Sequence, residues 1–245
     1  EARARAGDWF DPALVEAFLQ AQSDPEFWPA LVAPDIEARV FAMQPGLTSE
    51  VVDEDYLDDV AAAFSDVVDA KSPFTADHSN RVTLYTDMIA EELGLDAAHR
   101  RWLRRAALLH DLGKLGVSNQ VLDKPGKPDE AEWTSIRRHP VQSEAILARV
   151  AAFADIAPVA AAHHERLDGK GYPYGLAGDE ICLEARILTV ADVFDALSAE
   201  RPYRAAMPIS KALSILDADA GSAFDPACIA ALKSGLAKLN AEMAA

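Results

Sequence analysis

The sequence contains few of the cysteines that stabilise disulfide-rich or zinc-binding domains. It has only two cysteines, Cys182 and Cys228, and their spacing matches no cysteine metal motif. We therefore expect free thiols in a cytoplasmic protein. No apolar run approaches the roughly 20 residues of a membrane-spanning helix, and the amino terminus lacks the apolar core of a secretory signal. An initiating methionine is also missing, so we expect a fragment of a longer protein.

Positive charge is scarce as well, with 23 Lys and Arg residues against 40 Asp and Glu residues and a formal net charge of −17. Binding to long nucleic acid needs a basic face, so this class of partner is excluded. A small anionic ligand is still compatible, because bound metal ions can reverse the field of an acidic surface. The chain has only 12 glycines and 7% aromatic residues, and this composition favours helices.

Hydrophobic periodicity predicts helices through nearly the whole chain. The predicted helices span about 12–22, 54–71, 73–93, 96–114, 129–137, 140–149, 155–164, 184–198, 208–218 and 226–239, with less regular helical sequence over 24–43. Asp11 and Pro12 supply the cap and first turn of the first helix. Two gaps interrupt the pattern, at 117–128 and at the glycine-rich stretch 165–183.

One short pattern occurs twice. Residues 6–15 and 220–229 both contain a glycine turn, an aromatic residue, an aspartate, a proline and the start of a helix. Two interpretations stay open. The similarity is either a coincidence between two helix starts, or residues 1–20 are the closing helix of a related module that lies upstream.

The stretch 108–117 brings His110 and Asp111 together after an apolar run. Imidazole nitrogens and carboxylate oxygens are good ligands for divalent first-row metals. Neighbours on a helix point about 100° apart, so the pair cannot chelate one ion, but the carboxylate could bridge two. Lys114 follows one turn later, where it could bind a phosphate oxygen or protonate a leaving group. A solvated lysine is the alternative.

Four of the other histidines have contexts that suit metal ligands. His139 precedes a proline at a predicted helix start, and His163 and His164 end an apolar helix just before a loop. His78 lies inside the predicted helix 73–93. The remaining histidine, His99, has the sequence context of an ordinary surface residue.

Asp192 is embedded in the apolar sequence 187–197, where a carboxylate is unfavourable unless it is paired or metal-bound. Its alternative role is a hydrogen-bond acceptor in the core, and Asp195 is expected to be a supporting or capping group. One ion would be held by His78, His110, Asp111 and Asp192, and the other by Asp111, His139, His163 and His164. This ligand set suits iron or manganese, with zinc or nickel as alternatives. Two ions about 3.5–4 Å apart would hold a bridging hydroxide for phosphate-ester hydrolysis.

The sequence resembles a known family at this point. The His110-Asp111 pair and the Gly171-Tyr172-Pro173 stretch are similar to the HD-GYP domain, a bacterial branch of the HD metal-dependent phosphohydrolases. The resemblance covers about 60–235. It implies an all-α, HD-type helical bundle with a long GYP loop over 60–245. Residues 1–59 would be an N-terminal helical extension or the tail of an upstream module.

The resemblance also implies an activity. Family members hydrolyse cyclic di-GMP to linear pGpG, often onward to GMP, and some prefer cyclic GMP-AMP. The metal ligands implied are His78, His110, Asp111, His139, His163, His164 and Asp192. Asp111 and Lys114 would be catalytic, and the substrate contacts implied are Lys114, Arg201, Arg204, Gly171 and Tyr172. Surface ion pairs are the alternative for the two arginines.

One position departs from the family pattern. Members with three metals carry a glutamate one turn before the first histidine, where this sequence has Phe74. Phenylalanine cannot bind a metal, so we expect two ions and a reaction that tends to stop at pGpG.

Cyclic di-GMP hydrolysis is thus the leading hypothesis. The alternatives are a catalytically weak module that binds cyclic di-GMP as an adaptor, or an HD phosphohydrolase for another nucleotide such as cyclic GMP-AMP. An upstream sensory module and a homodimer are partners that the sequence leaves open.

Overall fold

The computed structural model describes residues 2–43, 52–72, 77–124, 126–199 and 206–243. It divides into two compact units, Glu1–Val51 and Val52–Ala245. The described residues form helices, turns and isolated bridges without a β-strand, so the predicted all-α class is confirmed. The sequence-based boundary between 59 and 60 falls inside the first helix of the second unit.

Among its described residues, the first unit contains three α-helices: α1 (Pro12–Ala21), α2 (Phe27–Leu31) and α3 (Ile36–Ala42). Helix α1 begins as predicted, because the Asp11 carboxylate accepts hydrogen bonds from the amides of Ala13 (2.7 Å) and Leu14 (3.1 Å). Several large apolar side chains of this unit are exposed, among them Trp9 (72%) and Leu14 (70%).

The repeated sequence pattern is also a repeated backbone structure. The amide of Gly7 donates to the carbonyl of Phe10 at 2.8 Å, and that of Gly221 donates to Phe224 at the same distance. Both glycines have positive φ, +90° and +77°. Burial differs between the copies, because Phe224 is 8% exposed in the core of the second unit and Phe10 is 48% exposed.

The second unit contains ten helices among the described residues. They are α4 (Glu54–Asp69), α5 (His78–Glu92), α6 (Ala97–Leu109), α7 (Asn119–Leu122), α8 (Glu130–Ile136), α9 (His139–Leu147), α10 (Ala157–Ala161), α11 (Leu183–Ser198), α12 (Ile209–Ala218) and α13 (Pro226–Met243). Short 3₁₀ turns occur at Leu112–Gly116, Ala151–Phe153 and Gly178–Glu180. No helix of the described chain combines the length and apolar character needed to cross a membrane.

Helix α5 is central in this unit, since it packs against α6, α11 and α13. Fully buried side chains from these helices, including Ile89, Leu103, Phe194 and Leu232, belong to one continuous core. Helix α9 packs against α10 and against the 3₁₀ turn Leu112–Gly116. This second contact brings the His110-Asp111 pair beside His139.

Two predicted helices around these residues have the wrong bounds. The helix predicted over 96–114 ends at Leu109, and the chain then enters the 3₁₀ turn. Gly113 explains the tight turn, because a Cβ there would lie 2.0 Å from the His139 carbonyl oxygen and 2.7 Å from the Ser143 amide nitrogen. The helix predicted over 73–93 begins at His78, after Asp77 in a left-handed conformation (φ +60°). Residues 73–76 lie outside the described part.

Candidate metal centre

Seven side chains singled out from the sequence converge in the second unit. His78 is the first residue of α5, His110 and Asp111 follow the end of α6, and His139 is the first residue of α9. His163 and His164 lie in the turn after α10, and Asp192 is in the middle of α11. All except His164 are buried.

Asp111 lies at the centre of this cluster, with its two carboxylate oxygens facing different histidines. Its Oδ2 is 3.6 Å from Nε2 of His78 and 3.3 Å from Nε2 of His110. Its Oδ1 is 3.2 Å from Nε2 of His139 and 3.9 Å from Nε2 of His163. One carboxylate therefore faces two groups of nitrogen ligands, which is the arrangement that a bridging ligand requires.

The two groups form the two sides of the centre. We call His78, His110 and Asp192 the carboxylate side. We call His139, His163 and His164 the histidine side. Within each side, one ligand atom from every residue lies within 4.8 Å of the others, so each could hold a metal ion.

On the carboxylate side, a buried aspartate outside the cluster orients His78. Asp195 is 1% exposed, and its Oδ2 is 2.7 Å from Nδ1 of His78. Arg81 donates from Nε to Oδ1 of Asp195 at 2.6 Å, which holds that carboxylate in place. Nε2 of His78 then faces Asp192 at 3.4 Å. Carboxylates that fix the ring of a metal-binding histidine in this way are common supports of metal sites.

Three histidines are oriented by backbone carbonyls instead. Nδ1 of His110, His139 and His163 lies 2.6, 2.7 and 2.5 Å from the carbonyl oxygen three residues earlier. A carbonyl can only accept, so each Nδ1 carries a hydrogen and Nε2 is the nitrogen left to bind a metal. Nε2 of His139 and Nε2 of His163 are 3.3 Å apart. A cation between them could be bound by both nitrogens.

The electrostatics of the rings differ between the two sides. Burial lowers the pKa of His163 well below its usual value, and burial lowers that of His164 to about 3. Both rings are therefore neutral, the form that binds metals. Burial alone would also lower the pKa of His78, but its contacts with Asp111, Asp192 and Asp195 outweigh this and raise it. A metal ion would displace the proton that His78 holds.

Two buried atoms of the cluster make no hydrogen bond: Nε2 of His110 and Oδ1 of Asp111. Buried polar atoms without partners are costly, and native structures contain few of them. Both atoms point into the cluster, where a divalent cation would satisfy them. The residues present therefore fit a metal centre, with a nitrogen-rich donor set completed by carboxylates.

Lys114 contacts the same central carboxylate. Its Nζ forms an ion pair with Oδ2 of Asp111, and its side chain is 20% exposed. Burial opposes the ionised form of Asp111, but its electrostatic interactions with the adjacent His110 ring and the Lys114 ammonium hold its pKa well below the usual range. The lysine predicted from the sequence thus lies at the centre, with its ammonium group against the shared carboxylate.

The glycine-rich loop after His164 is fixed by Glu165, whose role was missed in the sequence. Glu165 is 1% exposed and accepts hydrogen bonds from the amides of Tyr174 (2.6 Å), Gly175 (3.1 Å) and Leu176 (3.1 Å). The structure thus ties this glycine-rich loop to a buried carboxylate. The signal available in the sequence was the position of Glu165 directly after the histidine pair.

Gly171 and Tyr172, both predicted substrate contacts, lie beside the histidine side. A Cβ at Gly171 would be 2.5 Å from Cα of Glu165, so only glycine allows this approach. The Tyr172 ring centroid is 4.7 Å from that of His164, with 32° between the ring planes. The guanidinium carbon of Arg137 is 5.2 Å from the same Tyr172 centroid. Burial raises the pKa of Tyr172, so its hydroxyl stays protonated.

Ser143 was another residue that sequence analysis missed. It is fully buried, accepts a hydrogen bond from the amide of Gly113 at 2.8 Å, and donates to the carbonyl of His110 at 2.7 Å. It therefore ties the turn that carries Asp111 to helix α9. Three residues discussed from the sequence, Phe74, Arg201 and Arg204, lie outside the described residues.

Comparison with known proteins identifies a family for this chain. A family model described as an HD domain matches residues 62–228. A 3'3'-cGAMP-specific phosphodiesterase of Vibrio cholerae is 56% identical over 236 residues, which cover 96% of this chain and 51% of that protein. The cyclic di-GMP phosphodiesterase response regulator RpfG of Xanthomonas campestris is 45% identical, over 65% of this chain and 43% of the regulator.

A solved structure is also similar. The crystal structure of a cyclic GMP-AMP-specific phosphodiesterase from V. cholerae matches with a TM-score of 0.59 and 52% sequence identity, over 95% of this chain and 53% of that one. The chain spans about half the length of the curated relatives that it matches.

Proposed function

The chain belongs to the HD domain family, of the HD-GYP type, and we propose from this premise that it is a metal-dependent phosphodiesterase of cyclic dinucleotides. The observation that carries the proposal is the position of Asp111, whose two oxygens face two separate groups of histidines. A carboxylate placed in this way is suited to bridge two cations, and paired cations are typical of enzymes that cleave phosphate esters.

The proposed metal ligands are the seven side chains of the cluster, with Asp111 shared. His78, His110 and Asp192 would complete the coordination of one ion. His139, His163 and His164 would complete the coordination of the other. When bound, the pair would activate water and neutralise charge on a phosphodiester. Iron and manganese suit this donor set best, and zinc or nickel are alternatives.

The chain's own residues supply the remaining tasks. Lys114 is placed to bind a non-bridging phosphate oxygen or to give a proton to the leaving oxygen. Gly171 and Tyr172 provide a wall beside the histidine side, positioned by Glu165. Arg201 and Arg204, which lie outside the described residues, are proposed as substrate contacts from the family resemblance alone.

The substrate we propose is 3'3'-cyclic GMP-AMP. A relative named as specific for this nucleotide is 56% identical over nearly the whole chain, whereas RpfG, named for cyclic di-GMP, is 45% identical over a shorter part. The cyclic di-GMP preference expected from the sequence therefore gives way to its alternative. The product would be the linear dinucleotide, because Phe74 offers no ligand for a third ion.

A substrate panel tests this proposal. Protein purified without oxygen, with its metal content measured, is assayed with 3'3'-cyclic GMP-AMP, cyclic di-GMP and cyclic di-AMP. We expect the highest kcat/KM with 3'3'-cyclic GMP-AMP and accumulation of a linear product. Equal or faster cleavage of cyclic di-GMP would overturn the preference. Metal-replete protein that binds cyclic dinucleotides and cleaves none would identify an adaptor instead.

For the first unit, we propose that residues 1–20 are the closing helix of an upstream module related to the second unit. The support is the repeated turn, in which Asp11 and Asp225 cap their helices with hydrogen bonds of 2.7 and 2.8 Å. Phe10 is exposed where its counterpart Phe224 packs into a helical core. The encoding gene tests this directly, and a gene with no HD-type module before residue 1 would contradict it.

A further inference from the structure

Arg137 differs from most arginines of the second unit in having no carboxylate partner among the residues that the structure describes. Arg81, Arg100, Arg101 and Arg105, for example, each form ion pairs with one or more aspartates or glutamates. Among the described residues, no carboxylate oxygen lies within 4.0 Å of the Arg137 guanidinium. With 40 acidic residues in the chain, this guanidinium is left available for an anion from outside.

The position of Arg137 is set by two aromatic rings. It caps the carboxyl end of α8, where its guanidinium carbon is 5.7 Å from the Trp133 ring centroid and 5.2 Å from that of Tyr172. Tyr172 in turn lies against His164 of the histidine side. Arginine stacked on aromatic rings keeps its in-plane N–H groups free to donate. The guanidinium is therefore exposed, oriented and one ring away from the proposed metal ligands.

A cyclic dinucleotide contains two phosphodiesters, and only one can be at the metal ions while it is cleaved. The other remains anionic and must be accommodated by a chain whose net charge is −17. A guanidinium group is well suited to this task, because its fork of donors matches phosphate geometry.

We propose that Arg137 binds the phosphate that is not being cleaved, while Tyr172 holds the guanidinium beside the histidine side. This inference rests on the proposed function, since it presumes a cyclic dinucleotide substrate. It adds a substrate-binding residue outside the set identified from the sequence.

The test compares two substrates of different size. Arg137→Met should raise KM for 3'3'-cyclic GMP-AMP by about ten-fold or more, the loss expected for a charge-assisted hydrogen bond. The same variant should hydrolyse bis(p-nitrophenyl) phosphate, which has a single phosphate, as fast as the unmodified protein. Arg137→Lys keeps the charge but lacks the fork of donors. Its KM for 3'3'-cyclic GMP-AMP should lie between those of the unmodified protein and of Arg137→Met.

Arg138→Met is the matched control, because Arg138 is the adjacent exposed arginine and has no ring contact with Tyr172 in the described structure. Its KM for both substrates should stay unchanged. The proposal is overturned if Arg137→Met leaves KM for the cyclic dinucleotide unchanged, or if it slows both substrates equally, which would indicate a structural role. Failure of the unmodified protein to cleave any cyclic dinucleotide would instead reject the proposed function itself.

Discussion

The two sides of Asp111 differ in whether a charged side chain orients one of their imidazoles. On the carboxylate side, His78 is fixed by Asp195, a charged side chain more than a hundred residues away in sequence. On the histidine side, His139 and His163 are fixed by carbonyls of their own preceding turns. His110, on the same side as His78, is also held by a backbone carbonyl. The contrast between the two sides is therefore the long-range contact of His78 with Asp195, which has no counterpart among the contacts that orient His139 and His163. Substitution of the groups that orient the histidines should therefore affect metal binding on the two sides differently.

The largest effect should come from the residue that both sides share. Asp111→Asn keeps the shape of the side chain but removes the charge that would bridge two cations. We expect cyclic dinucleotide turnover to fall by about 1,000-fold or more, because bound ions contribute several kcal/mol of transition-state stabilisation. Metal content should fall on both sides. Metal analysis and initial rates on the same preparation measure these changes, and a variant that retained both ions would argue against a bridging role.

A smaller and one-sided effect should follow from Asp195→Asn. This change removes the negative charge beside Nδ1 of His78 and weakens the contact with Arg81. Loss of such a supporting carboxylate typically lowers metal affinity or activity by about 10- to 100-fold. Titration of metal into the stripped protein should show one weakened site and one unchanged site. Asp66→Asn, at an exposed position of α4, is the control, and equal weakening of both sites would contradict the asymmetry.

The smallest effect on activity should come from Glu165→Gln. A glutamine has one acceptor oxygen for the three loop amides, so at least one of these amides would lose its bond to the buried side chain. We expect the free energy of unfolding to fall by about 1–3 kcal/mol, with both metal ions retained. Urea unfolding and metal analysis measure these quantities. Glu16→Gln, an exposed change on α1, should be neutral, and loss of metal in Glu165→Gln would show a different role.

The sequence predicted the middle of the helices better than their ends. Periodicity placed α1, α4 and α8 closely, and their starts are set locally, since Asp11, Asp53 and Asp129 each cap their helix through a nearby side-chain contact. The predicted start of α5 and the predicted end of α6, beside His78 and His110, were wrong because long-range contacts determine them. Gly113, for instance, turns the chain only because α9 lies directly against it.

The site shows the same division between local and long-range information. The seven clustered side chains were identified from ligand chemistry and family resemblance, and the structure brings them together. Their supports were harder to predict, since Ser143 and Glu165 act by bonding to backbone groups that are close only in the folded chain. Apart from the position of Glu165 directly after the histidine pair, no periodicity or spacing in the sequence carries that information.

The most direct test of the central claim is anomalous X-ray diffraction from crystals of the manganese-loaded protein. Two manganese peaks are predicted, one beside each carboxylate oxygen of Asp111. The first should also contact His78, His110 and Asp192, and the second His139, His163 and His164. A single peak, or two peaks that do not share Asp111, would contradict the account.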